Sequence, residues 1–112
     1  MSRSTRLTDA EQHTLLAVWR SGGDATGDLI RDELATRIGR RVSVSAIYVI
    51  LVRLERRSLV SSRRSDPEPV RGGKARRYFS IQRAGIRELE QSRRELDLMW
   101  DGLGPTPGLS NQ

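Results

Sequence analysis

The hydrophobic period of this chain changes twice, and those two changes decide what it can fold into. From Thr8 to Arg57 apolar residues recur at helical spacing; from Leu59 to Ile81 they fall in two short β-prone runs; from Gln82 the helical spacing returns. The order predicted is three helices, a hairpin and a fourth helix. With 112 residues, this is one domain with a modest core, close to the size at which a partner subunit helps.

Thr8-Asp9-Ala10-Glu11 has capping-box spacing, in which a threonine hydroxyl and a glutamate three residues on satisfy free backbone donors at a helix start. The helix it opens runs over residues 8–20, with Leu15, Leu16 and Trp19 as its apolar stripe and Val18 at the margin, and Ser21-Gly22-Gly23 stops it. A second helix over residues 27–38 carries Ile30, Leu34 and Ile38 at four-residue spacing, widened by Leu29 and Ala35, and ends at Gly39. Ser43 is a good N-cap for a third. There Ile47, Ile50, Leu51 and Leu54 share one face; Ser45, Val49, Val52 and Arg56 take the other, flanked by Tyr48 and Arg53.

Two strands are then expected, Leu59-Val60-Ser61-Ser62-Arg63 and Arg76-Arg77-Tyr78-Phe79-Ser80-Ile81, joined by a long tip rich in proline, glycine and charge. The last helix, over residues 82–102, repeats Ile86, Leu89, Leu96, Trp100 and Leu103 at alternating three- and four-residue steps, broken only by Arg93. Such a seam is too apolar to lie bare. The resulting division is a flexible arm over 1–7, a unit over 8–81, a dimerisation helix over 82–103 and a disordered tail over 104–112.

Charge is just as uneven. The net charge is +6, yet residues 40–77 alone hold eleven arginines and lysines against three acids, a local +8, and each flank comes out at −1. A basic block inside periodic sequence is the electrostatic footprint of a chain that lies on a polyanion, nucleic acid above all. Without cysteine and with His13 as the one histidine, thiolate chemistry and a His/Cys metal site are excluded. The expectation is cofactor-free binding. The carboxylates are scattered without a companion base or nucleophile, so no enzyme is expected. Gly72-Gly73-Lys74 fails as a nucleotide loop, because Glu68 stands at the first glycine and Ala75 at the hydroxyl that would hold magnesium. No run of ~18 apolar residues suggests a membrane span, and the N-terminus lacks the apolar run of a signal peptide, so a cytoplasmic location is expected.

Three helices, the third basic and serine-capped, followed by a hairpin with a basic glycine tip, is the order of a winged helix-turn-helix, in which the third helix enters the major groove. Within it, Ser45-Ala46-Ile47-Tyr48-Val49-Ile50-Leu51-Val52-Arg53-Leu54-Glu55-Arg56-Arg57-Ser58-Leu59-Val60 resembles the signature of the PadR-type transcriptional regulators. Arg71-Gly72-Gly73-Lys74-Ala75-Arg76-Arg77-Tyr78-Phe79-Ser80-Ile81, then Ala84-Gly85, resemble that family's wing and the start of its C-terminal helix. The family usually has glycine where Ser58 stands and Leu-Thr where Ile81-Gln82 stand, which makes Gln82 a poorer cap for the last helix.

The short C-terminal part resembles the compact branch of the family, with a single helix in place of a longer dimerisation domain. The resemblance implies a homodimer closed by the fourth and first helices, often a repressor, sometimes released from DNA by a small molecule. The reading is therefore a mostly α, winged helix-turn-helix regulator of double-stranded DNA. Its groove candidates are Ser43, Ser45, Ala46, Tyr48, Val49 and Arg53; its wing candidates are Arg71, Gly72, Gly73, Lys74, Arg76 and Arg77. Glu55 and Arg56 support orientation. Leu15, Trp19, Ile86, Leu89, Leu96, Trp100 and Leu103 are placed at the dimer surface, and Trp100 either packs there or lines a pocket for a flat hydrophobic effector. The rival is a winged-helix module whose arginines meet an acidic protein or structured RNA.

Overall fold

A computed structural model of the chain describes residues 6–65 and 76–105. Its elements follow the predicted order: α1 (Asp9–Arg20), α2 (Gly27–Ile38), α3 (Val44–Arg56), β1 (Val60–Arg64), β2 (Arg77–Ile81) and α4 (Arg83–Trp100). Local chemistry sets most of the helix ends. At α1 the expected capping box forms: the Glu11 amide donates to Thr8 Oγ1 at 3.1 Å, and the Thr8 amide donates to Glu11 Oε1 at 2.9 Å. Thr26 caps α2 through the Leu29 amide, and Gly39 closes it in the left-handed conformation at φ 65°.

The helical stripes converge on one core. Leu15 and Val18 of α1, Ile30 of α2, and Ile47, Leu51 and Leu54 of α3 have no exposed surface. Phe79, projecting from β2, is buried among them. β1 and β2 pair antiparallel, with Ser62 opposite Phe79 and Val60 opposite Ile81. A further rung is not legible in the sequence. Ala25, in the α1–α2 loop, exchanges backbone hydrogen bonds with Phe79, so the loop pairs with the hairpin's inner strand and fixes it against the helices.

Strand and helix boundaries depart from the sequence reading in instructive ways. Leu59, expected to open the first strand, lies in the turn before it, and both Leu59 and Val60 are buried because the turn packs into the core. The turn is made at Ser58, where a serine sits at φ 61° and its amide donates to Glu55 O at 2.9 Å. Gln82 stands at the N-cap of α4 but gives no capping bond; its side chain donates to Ser61 Oγ at 2.8 Å instead. Gly85 explains how α4 can leave the hairpin so closely. A Cβ there would lie 2.5 Å from Leu59 O.

The arm also differs from expectation. Leu7 is a core residue, and Arg6 forms an ion pair with Glu95 of α4. A hydrogen bond from Gln91 and the Arg6 guanidinium hold the Glu95 carboxyl below its usual range. Residues 1–5 and 106–112 of the expected arm and tail lie outside the described residues.

Candidate nucleic-acid interface

The amphipathic build of α3 produces a helix with two faces. Ile47, Leu51 and Leu54 anchor one to the core. The other presents Ser45, Val49, Arg53 and Arg56 to solvent, with Val52 and Tyr48 half-buried at its edge. Its N-terminus has no acidic residue in the first turn, so the positive end of the helix dipole is uncompensated. Ser43 behaves as a cap: its Oγ accepts from the Ala46 amide at 3.1 Å. That engages the oxygen and leaves the hydroxyl proton for a ligand. Ala46 is half-buried.

Tyr48 is mainly a packing residue. Its ring meets Phe79 with centroids 6.0 Å apart and planes tilted by 58°. It also covers Gly27, where a Cβ would lie 2.7 Å from the tyrosine ring. The close approach of α2 and α3 therefore requires glycine at one side of the contact and an aromatic at the other.

The arginines divide by what they already touch. Arg77, expected to meet phosphate, faces inward: its Nη2 lies 2.5 Å from Glu55 Oε1, its Nε donates to Ser62 Oγ at 3.1 Å, and its guanidinium stacks on Phe79 at 5.1 Å. Ser62 donates in turn to Glu55 Oε2 at 2.7 Å. This corrects the sequence reading of Arg77. It joins Glu55 and Ser62 in clamping the hairpin to the end of α3. Strand alternation is the signal that separates Arg77 from its neighbour Arg76, which is exposed.

Arg57 is likewise committed, lying 3.9 Å from the buried Glu11 and 3.8 Å from Glu88 of α4. Arg53 approaches Glu11 at 3.8 Å but remains mostly exposed. Arg63 pairs with Asp24 at 2.9 Å and lies over the Tyr78 ring, and Arg40 contacts His13 at 3.2 Å. Arg41, Arg56, Arg64 and Arg76 stand exposed beside α3 and the hairpin. Sequence alone does not single out Arg41 and Arg64, because nothing in it distinguishes a free arginine from a paired one. The wing-tip candidates Arg71, Gly72, Gly73 and Lys74 lie outside the described residues.

The proposed dimer seam is split by the fold. Leu15 has no accessible surface and Leu89 only 6%, so both belong to the chain's own core and neither can be a contact surface. Ile86 is half-buried. The last turn of α4 and the residues after it are bare: Leu96, Met99 and Trp100 are exposed, Trp100 at 68%, and so is Leu103 just beyond the helix. On α1, Leu16 and Trp19 are also exposed, and Leu16, Ala17, Leu34 and Ile38 supply the apolar lining of a groove of about 240 Å³ between α1 and α2.

Comparison with known proteins bears on this geometry. A family model described as the transcriptional regulator PadR-like family matches residues 15–91. Among solved structures, the chain is similar to a PadR family transcription regulator from Clostridium difficile, with 22% identity, a TM-score of 0.68, and coverage of 82% of this chain and 91% of that one. A PadR family regulator from Eggerthella lenta gives 24% identity and a TM-score of 0.65 over 81% of this chain and 77% of its own. RosR of H. salinarum gives 16% identity and a TM-score of 0.68 over 91% and 84%. At these identities the likeness is one of fold. Among curated proteins, no sequence match was found.

Proposed function

The chain belongs to the PadR-like family of transcriptional regulators, a non-enzymatic family that acts on DNA, and from that premise we propose how this member does so. It binds double-stranded DNA as a homodimer, with the outward face of α3 in the major groove and the hairpin on the flanking backbone. The observation that carries this is the set of arginines left exposed on α3 and the hairpin. Arg53 and Arg56 of α3, Arg41 just before it, and Arg64 and Arg76 of the hairpin are all exposed, and the N-terminus of α3 carries no acid. Ser45 and Val49 are small enough to let the helix approach base edges, while the arginines set its register on phosphate.

The bare end of α4, with Leu96, Met99 and Trp100, and Leu103 just beyond it, supports the dimer, closing against its mate and against the exposed Leu16 and Trp19 of α1. Two-fold symmetry makes the operator an inverted repeat with half-sites about 10 base pairs apart or a multiple of it. Repression is the sign we assign, on the resemblance to a family whose members often repress. A flat hydrophobic effector stacking on Trp100 would act through that interface.

A titration of selected and random duplexes against salt tests the reading. The slope of log affinity on log salt should be about −0.9 for each phosphate neutralised, hence several units for the dimer. The selected duplex should bind more tightly than the random one throughout. A slope near zero, or equal affinity for both, would leave the arginines to an acidic protein or structured RNA.

A further inference from the structure

We infer that Val49 and Val52 form a reader of the 5-methyl group of thymine, so that each half-site is recognised through a methyl contact at the centre of α3. The inference rests on the DNA-binding reading above and says which base edge that site takes. At 100° per residue Ser45, Val49, Val52 and Arg56 fall within a narrow sector on the side of α3 away from the core. Val49 is 57% exposed, which leaves a β-branched hydrocarbon facing water with no partner on the chain's own core. With Val52, Tyr48, Arg53 and Arg56 it lines a shallow hollow of about 380 Å³. The floor is apolar and the rim carries two guanidinium groups.

The chemistry of the helix narrows the occupant. Major-groove edges are told apart by amide side chains on adenine, carboxylates on cytosine, arginine or lysine on guanine, and apolar contact with the thymine methyl. α3 holds no asparagine, glutamine or aspartate, and both oxygens of its one glutamate, Glu55, are taken by Arg77 and Ser62. The bidentate amide and the carboxylate that read adenine and cytosine are absent from this face, which leaves Ser45 a single hydroxyl contact at its N-terminal end. What remains at its centre is hydrocarbon. The cationic rim selects a polyanion over an apolar protein surface, because burying Arg53 and Arg56 against a hydrophobic partner would desolvate two charges without compensation. An apolar spot rimmed by cations fits a methyl set among phosphates and acceptor-bearing base edges.

The test begins with a tight-binding duplex selected from a random pool. Each thymine in it is replaced singly by deoxyuridine, which removes only the 5-methyl. One thymine in each half-site should then show affinity reduced about four-fold, the worth of one methyl removed from water. Val49→Ala is expected to fold normally, since the site is exposed and alanine favours helix. It should shrink that thymine-to-uracil difference and weaken the selected duplex more than a random one. Selective binding with no thymine sensitive to the exchange, or sensitivity undiminished in Val49→Ala, overturns the methyl contact and leaves the DNA reading intact. Failure to retain any duplex at low salt overturns both. If Val49→Ala instead disrupts self-association in the absence of DNA, this face is an interface between copies and the inference falls.

Discussion

Arg76 and Arg77 are adjacent, identical and opposite in role. In the sequence they read as one basic pair on the wing; the pleat of β2 turns Arg76 to solvent and Arg77 onto Phe79 and Glu55. Their single alanine variants should therefore separate. Arg76→Ala should weaken binding to all duplexes and lower the salt slope by about two, one for each chain of the dimer, with unchanged stability. Arg77→Ala should cost about 1 kcal/mol in chemical denaturation, more than a fully exposed pair, because it leaves the half-buried Glu55 carboxylate without its cation. Ser58 offers a second contrast. At φ 61° it holds a conformation that costs an L-residue roughly 1–2 kcal/mol and glycine almost nothing. Ser58→Gly should raise the melting temperature by a few degrees, offset in part by the greater freedom glycine gives the unfolded chain. Gly85→Ala should do the reverse by roughly 1–3 kcal/mol, since its Cβ would meet Leu59 O at 2.5 Å. The strained turn at Ser58 is legible in sequence only as a departure from a familiar pattern. The close approach at Gly85 is not legible at all, because it depends on which backbone α4 passes.

At the level of elements, helices read well because their period, caps and stops agree. Thr8, Thr26, Ser43 and Gly39 act at the ends where their chemistry places them. The hairpin is legible as two β-prone runs, but not its rung to Ala25, which is a tertiary pairing of a loop with no strand signature. α4 shows most clearly what periodicity cannot tell. Its seam is continuous in sequence, yet Leu89 is buried in the chain's own core while Leu96, Met99 and Trp100, and Leu103 just beyond the helix, lie bare. Periodicity finds an apolar face; only the docking of the helix says which part is already spent. Each large side chain in the bare half would gain about 1.5–3 kcal/mol on leaving water, before the costs of ordering and association. Leu96→Asp with Leu103→Asp should accordingly give a chain with wild-type helical circular dichroism that sediments as a monomer.

For the molecule as a whole, only part of the basic block of the sequence stays exposed and unpaired among the described residues. Arg57, Arg63 and Arg77 are held by Glu11, Asp24 and Glu55, so charge counted along the chain overstates what a ligand meets. The reading face of α3 is legible in outline, since its apolar anchors dictate the opposite side. Which arginines remain free is not, because their partners come from α1, the α1–α2 loop and α3. The same assembly ties the end of α3 to α4: Arg57 lies between Glu11 of α1 and Glu88 of α4. On the function we propose, two α3 helices related by a two-fold axis through α4 are the unit that recognises DNA. Sedimentation of a labelled inverted-repeat duplex, selected with the wild-type chain, measures that unit directly. The account predicts two wild-type chains on each duplex at moderate salt, and no bound duplex for the Leu96→Asp, Leu103→Asp chain at the same concentration. A wild-type chain that remains monomeric at micromolar concentration while binding the duplex with full selectivity would contradict it.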